Sequence, residues 1–184
     1  MNKVEFPIDK RRWHPSLIPG PVTLISTYDG RKEPNIAPKS WLQMISFEPP
    51  MLMFSGQQSN TTEVNIAESN CFGINFIDSS LASKTWECIK WTGRERIDRS
   101  GFTLVEAKEI EAPLVAECRA HLECRLHSTR EIGHALIVFG EIVAASIWED
   151  ILRAEGTDRY ALLDQVLYLE EGVASRIGEI YKVK

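Results

Sequence analysis

Asn35-Ile36-Ala37-Pro38-Lys39-Ser40-Trp41, followed by Ser46-Phe47-Glu48-Pro49-Pro50, is the stretch that decides how this chain is read. Before it, Pro21-Val22-Thr23-Leu24-Ile25-Ser26-Thr27 is β-branched and reads as a strand. Tyr28-Asp29-Gly30-Arg31 supplies the turn. Ile36 to Ile45 then returns as a strand or extended segment. After it, Met51-Leu52-Met53-Phe54 reads as a short, fully buried strand, and Ser55-Gly56-Gln57-Gln58-Ser59-Asn60-Thr61-Thr62 as a polar loop. Amide, hydroxyl and cationic groups packed between strands suit an anionic, planar, hydrogen-bonding ligand.

Further outward, Thr61 or Thr62 is expected to cap a helix through Val64, Ile66 and Ala67 to Ser69. Cys71 to Ile77 reads as a strand, and Ser79 or Ser80 as the cap of a second helix through Leu81, Trp86 and Ile89. Strands follow over Leu104 to Ala107, Ala116 to His127 and Ala135 to Ile147, with a short helix from Asp158 to Leu167. Many short strands with two or three small helices predict a mainly β protein, a barrel with helical decorations. Residues 1 to 20 read as an arm, where Pro7, Pro15 and Pro19 prevent regular structure.

The 184 residues suffice for a single domain, 1–184, with a sizeable core. A net charge of −5 argues against a nucleic-acid binder, and Lys10-Arg11-Arg12 reads as a solvated local cluster. No apolar run approaches the roughly 20 residues that span a bilayer, so no membrane role is expected. The first residues carry no apolar signal region, so a cytosolic (cytoplasmic) protein with Cys71, Cys88, Cys118 and Cys124 reduced is expected.

Cys118-Arg119-Ala120-His121-Leu122-Glu123-Cys124-Arg125-Leu126-His127 has spacing that resembles a metal site. On a strand, the two cysteines share one face with Ala120, Leu122 and Leu126, and the two histidines share the other. Four ligands on opposite faces do not converge on zinc. The reading is an amphipathic strand with inert thiols and no metal.

The ordered set of these motifs resembles the flavin reductase-like, FMN-binding split-barrel family, and within it the flavoredoxin-type branch. The likeness runs through Asn35 to Trp41, Ser46 to Pro50 and the polar loop. It continues at Thr92-Gly93-Arg94 with Asp98-Arg99, Ala116-Glu117-Cys118 with Leu122-Glu123-Cys124, and Glu131-Ile132-Gly133-His134 with Gly140-Glu141-Ile142. It covers roughly residues 20 to 150 and rests on the set, since no single motif is specific. The resemblance implies a Greek-key split β-barrel with peripheral helices, a homodimer, and FMN bound near the interface. A C-terminal Gly-Gly-x-Tyr stretch common in relatives has no counterpart here. The comparable Glu171 to Gly178 lacks the aromatic, so no role is carried over to a C-terminal tyrosine.

On that resemblance, Asn35, Ala37, Pro38, Lys39, Ser40 and Trp41 line the isoalloxazine ring. Backbone N–H groups and Lys39 would serve its O2, O4, N5 and the anionic reduced form. Read alone, Trp41 is a core aromatic and Lys39 a surface cation. Ser55, Gln57, Ser59, Asn60, Thr61 and Thr62 hold ribityl and phosphate at a helix N-terminus, where free N–H groups and the dipole favour an anion. Relatives often carry a lysine near Asn60, and Arg94 is expected to supply the missing charge. His134 is placed on the substrate side, where it orients the hydride donor or hydrogen-bonds the reduced flavin; alone it reads as a hydrogen-bonded histidine starting a strand. The expected function is hydride or electron transfer from NAD(P)H through FMN to an acceptor. The alternative is a flavoredoxin-like carrier acting with a redox protein partner. No Gly-x-Gly-x-x-Gly segment offers a separate nicotinamide domain, which fits both.

Overall fold

The computed structural model describes residues 2–4, 17–170 and 172–181; Pro7, Lys10-Arg11-Arg12, Pro15 and Glu171 lie outside them. Gly20–Pro21 forms a short strand β1, and Thr23–Tyr28 forms β2. Between them the Val22 N–H donates to the Val166 carbonyl (2.8 Å). Asp29 closes the following turn, its Oδ1 accepting from the Arg31 and Glu33 N–H groups (2.8 Å each). Pro34–Lys39 (β3) then returns antiparallel, with Thr23 opposite Lys39 and Tyr28 opposite Pro34.

The expected single strand from Ile36 to Ile45 is two strands. The chain breaks at Ser40-Trp41, and Leu42–Phe47 (β4) leaves β2's side to pair with Pro50–Gln57 (β5). An edge strand can serve only one neighbour per side, so the break re-aims the chain. β5 is longer than expected and not fully buried. Leu52 and Phe54 face inward while Met51 and Met53 are half-buried, the alternation of a strand with one covered face.

Helix α1 spans Thr61–Ser69 and starts one residue earlier than a threonine cap allows. Asn60 is its N-cap, with no side-chain capping bond. Cys71–Phe76 (β6) follows. Neither Ser79 nor Ser80 caps the next helical stretch. Asp78 does, its Oδ1 accepting from the Ser80 N–H (2.8 Å) and hydroxyl (2.5 Å). A 3₁₀ turn then leads into α2 (Ala82–Glu87), and Thr92-Gly93-Arg94 opens a helix not anticipated from sequence, α3 (Gly93–Ser100).

Leu104–Glu106 (β7) and Pro113–Val115 (β8) form a small ribbon. Ala116-Glu117 is a turn, so the strand expected from Ala116 begins only at Ala120. Ala120–Ile132 (β9) and Ala135–Ile147 (β10) form one long hairpin bent by bulges at Phe139/Gly140 and Ile142/Ala144. Gly140 lies where a Cβ would press into the Phe72 ring, so the glycine lets β10 and β6 side chains share the core. Glu149–Arg153 (α4) and Asp158–Leu163 (α5) close the order, with Val166–Glu170 (β11) and Val173–Arg176 (β12). The expected helix to Leu167 stops at Leu163, where Asp164 adopts a left-handed conformation (φ 46°) and its N–H bonds back to Tyr160.

Seven strands form one antiparallel sheet in the order β3-β2-β6-β9-β10-β5-β4, and β1-β11-β12 form a second sheet. The large sheet curls until the end of β3 meets β5 at a seam, where the Lys39 ammonium lies beside Gly56, while the Ser55 N–H donation to the Trp41 carbonyl (3.2 Å) extends the β4–β5 ladder. Successive residues of β2 supply two cores. Ile25 joins Phe54, Phe72, Ile74, Ile66, Cys124 and Val138 inside the barrel. Leu24 joins Ile36, Ile77, Cys88, Ile97, Phe102, Cys118 and Val166 outside it, towards the helices. Each such side chain contributes about 1.5–3 kcal/mol by burial. Phe54 and Phe72 pack edge to face at 5.4 Å.

This two-core plan corrects the reading of the cysteine-histidine stretch. Cys118 precedes β9 and belongs to the outer core, whereas Cys124 belongs to the inner one. The polar parity is not a solvated face either. Glu123 is buried, accepting from the Lys108 and Glu109 N–H groups. The His121 ring bonds the Val115 carbonyl (2.8 Å) and the Ser146 hydroxyl (3.1 Å). Burial pushes both thiols up, that of Cys118 to about 12, so neither is a ready thiolate.

Candidate functional site

The sequence-predicted residues, Arg94 apart, gather at one end of the barrel. The last residues of β3 (Pro38, Lys39), the break at Ser40-Trp41, the end of β5 and the start of α1 all border the seam. The β9–β10 hairpin tip joins them, because Ala135 pairs with Gln57 and Leu136 with Gly56. A Gln58 amide to Glu131 carboxylate bond (2.6 Å) ties the polar loop to that tip. His134 lies at the tip, exposed, immediately after Gly133.

Within this group the residues divide into surface and interior. Ser59 and Thr61 are exposed, Ser40, Ser55 and Asn60 half-buried, and Gln57 exposed beside the hairpin. Trp41 is 52% exposed, not a core aromatic. Asn35 and Thr62 are each 1% exposed. The Asn35 amide donates to the Thr62 hydroxyl (3.1 Å), and Asn65 donates to Thr27 (3.0 Å). Ala37 is buried on the same face of β3. Asn35 and Thr62 therefore brace α1 against β2 and β3 from inside.

Lys39 is not a surface cation. Its ammonium pairs with Glu63 at 2.5 Å, and the two side chains are 11% and 0% exposed. A Cβ on Gly56 would overlap both charged groups, so the glycine opens the space in which the pair lies. Glu63 and Gly56 were not singled out from sequence. A glutamate in the first turn of a helix has an ordinary explanation in the helix dipole, and nothing local marks its long-range partner.

Arg94 is positioned away from the polar loop. It pairs with Asp98 (3.1 Å) and Glu33 (3.8 Å) and lines an open cleft of about 560 Å³ with Tyr28, Lys32, Ile97 and Phe102; no residue of 55–62 lines that cleft. The cation turned inward is Arg96, two residues on. It donates to the carbonyls of Cys88 (2.7 Å), Trp91 (2.8 Å) and Ile36 (2.5 Å) and reaches Asn35 Oδ1 at 3.5 Å. Burial lowers its pKa from the usual arginine value. Two residues apart on α3, Arg94 and Arg96 project to opposite sides, a separation that follows from the helical register of Gly93–Ser100.

The arrangement offers two recognisable capabilities. The first-turn N–H groups of α1 receive no side-chain cap, so the N-terminus presents donors and a positive dipole end to an anion. Beside it, Ser40, Trp41 and Ser55 give hydroxyls, backbone amides and an exposed ring edge. The donor set and the uncapped helix fit a phosphorylated planar cofactor.

Comparison with known proteins agrees. Residues 16–173 match the flavin reductase like domain family. An uncharacterized protein of Methanothermobacter thermautotrophicus is 30% identical over 149 residues, covering 76% of this chain and 69% of that one. An uncharacterized protein of Archaeoglobus fulgidus is 29% identical over 116 residues, 62% of this chain and 66% of that one. Among solved structures, flavoredoxin from Methanosarcina acetivorans superposes with a TM-score of 0.83 at 26% identity, over 100% of this chain and 95% of its own. Component B of nitrilotriacetate monooxygenase from Bacillus cereus shares the fold with a TM-score of 0.88 at 19% identity, over 100% of both chains.

Proposed function

Because the chain belongs to the flavin reductase-like family, we propose that it is an FMN-binding oxidoreductase that accepts hydride from NAD(P)H and passes electrons to an acceptor. The observation that carries this reading is the convergence of the uncapped α1 N-terminus, the Lys39-Ser40-Trp41 break and the His134 hairpin at one end of the barrel. When bound, FMN supplies a ring that exchanges a hydride and electrons, chemistry that side chains lack.

The chain's own groups do the rest. The N–H groups at Thr61 and Thr62 seat the phosphate, with Ser55, Gln57, Ser59 and Asn60 along the ribityl chain. Ser40 and the adjoining backbone hydrogen-bond the ring edge, and Trp41 shields it from water. Asn35, Ala37, Pro38 and Thr62 support this surface from behind, and Arg94 stands apart from it. His134 borders the face that a nicotinamide approaches and holds it near hydride-transfer geometry. The exposed apolar strand β4, with Phe47 86% exposed, suits a second copy of the chain, which would cover the site in a homodimer.

Anaerobic stopped-flow mixing of the FMN-loaded protein with NADH and NADPH tests this. Rapid, saturable bleaching of the flavin absorbance is expected. The second reading, an electron carrier serving a redox protein, draws on the full-length likeness to flavoredoxin at 26% identity. It predicts no bleaching by either nucleotide and reduction by a ferredoxin-type donor instead. A protein that takes up no FMN sinks both.

A further inference from the structure

The Lys39–Glu63 pair is an expensive feature with no evident structural reward. Glu63 has a fully buried side chain, its Oε1 bonds the ammonium, and its Oε2 is buried without a hydrogen-bond partner among the described residues. A buried carboxylate oxygen left unsatisfied costs free energy, and a buried ion pair is often no more stabilising than apolar residues of the same size. The Phe54 ring, its centroid 5.9 Å from Lys39 Nζ, gives the ammonium a cation–π contact that offsets part of its cost, but it does nothing for the buried carboxylate beside the inner core. Gly56, which leaves room for both charges, gives up a side chain near the end of β5.

Position supplies the reason. Glu63 is the third residue of α1, and its carboxylate lies behind the helix N-terminus that offers its N–H groups to an anion. Left alone, it would repel a phosphate there and oppose negative charge on a reduced ring. Lys39 left alone would do the reverse. It ends β3 directly before Ser40 and Trp41, so the pair ties the strand that leads to the groups assigned to the ring to the first turn of the helix assigned to the phosphate.

Resting on the flavin reading above, we propose that Glu63 is a positioning residue for the cofactor. It holds the Lys39 ammonium at the barrel seam so that a balanced charge pair, rather than a free cation, faces the bound flavin and sets its reduction equilibrium. Replacing Glu63 by Gln keeps a hydrogen-bond acceptor for Lys39 but leaves a net positive seam. Replacing Lys39 by Gln keeps a donor to Glu63 and leaves a net negative one. A single uncompensated charge about 10 Å away, at the effective dielectric of a partly buried site, changes such an equilibrium on the order of tenfold.

The test is a redox titration of FMN-loaded wild-type, Glu63→Gln, Lys39→Gln and the double variant, with dithionite as reductant and a dye of known potential as reference. At a fixed dye ratio, Glu63→Gln is expected to raise the ratio of reduced to oxidised bound FMN roughly tenfold. Lys39→Gln lowers it by a similar factor, and the double variant returns it to near the wild-type value. Should one single variant fail to fold, the other carries the test with its own sign. Bound FMN whose equilibrium is the same in both single variants overturns the proposal. So does a double variant that folds when neither single variant does, because the balance then serves only the fold. A wild-type protein that gives no spectral change with added FMN is a different failure, that of the flavin reading itself.

Discussion

At the scale of single residues, the site depends on which groups are turned inward. Gly56 is confined by the charged pair beside it. Its Cβ position is occupied by Glu63 Oε1 and Lys39 Nζ, side-chain ends that make way only by disturbing their own buried ion pair. Gly56→Ala should therefore destabilise the protein by about 1–3 kcal/mol, the usual cost of forcing atoms into a packed site, read as a lower midpoint in urea unfolding. An unchanged midpoint would show that the seam opens freely. His134 is the opposite case, exposed at a hairpin tip. His134→Ala should leave FMN affinity as it is and slow bleaching by NAD(P)H roughly 10- to 100-fold, the effect of losing one orienting contact. Unchanged kinetics would remove the role assigned to it. In sequence, Gly56 reads only as part of the polar loop, and His134 stands out by its place after Gly133. The sequence did not reveal the buried partners. Lys39 reads as a surface cation because a lysine is usually exposed, and its neutralising glutamate is 24 residues away.

At the scale of elements, strands were legible and caps were not. Alternation and β-branching marked β2, β6 and β10, since their side chains answer directly to the two faces of the sheet. Helix starts depend on one hydrogen bond each. Thr61 and Thr62 have the chemistry of caps, yet Asn60 takes the position, and Asp78 displaces two adjacent serines. The bare start of α1 yields a prediction. Thr61→Glu puts a carboxylate where a phosphate is expected, and should weaken FMN binding about 3- to 10-fold, in line with a dipole-scale interaction. Riboflavin, which lacks the phosphate, should bind as before in a fluorescence titration; equal weakening of both ligands would move the phosphate elsewhere. Asp78 gives a pH dependence. Burial alone would raise its pKa, but the Ser80 hydroxyl and N–H and the Arg119 guanidinium hold it below the usual aspartate value. Glu117 shifts the same way: burial alone would raise its pKa, but the Thr103 and Glu117 N–H groups and the Lys84 ammonium together lower it. A carboxyl lowered in the folded state contributes stability that is complete above its unfolded value, near 4, and is lost as pH falls through the folded value. Asp78→Asn should therefore lower the melting temperature at neutral pH and flatten its fall in acid. A parallel fall in both proteins would contradict the assignment.

At the scale of the whole molecule, the barrel was legible as a class because the strands are many, short and punctuated by turns. Strand order was not, since β4 crosses to β5 at a break only two residues long, and no local pattern announces which edge a strand will join. That crossing has a consequence for assembly. β4 is an end strand of the seven-stranded sheet, and it bears Met44 and Ile45 at 42% and 44% exposure and Phe47 at 86%, with Trp41 just before it. Exposed sheet edges are normally blunted by charge, yet Leu42–Phe47 contains none. An apolar edge beside the proposed cofactor surface is best accounted for by a second copy that covers both. Phe47→Asp should then convert a dimer to a monomer in sedimentation velocity and, because the cofactor loses its cover, weaken FMN binding in the same step. Met53→Ala, on β5, serves as a comparison that trims apolar surface without charging the edge. A dimer that persists with Phe47→Asp would place the interface elsewhere. A monomer that still binds FMN with unchanged affinity would show that each chain completes its own site.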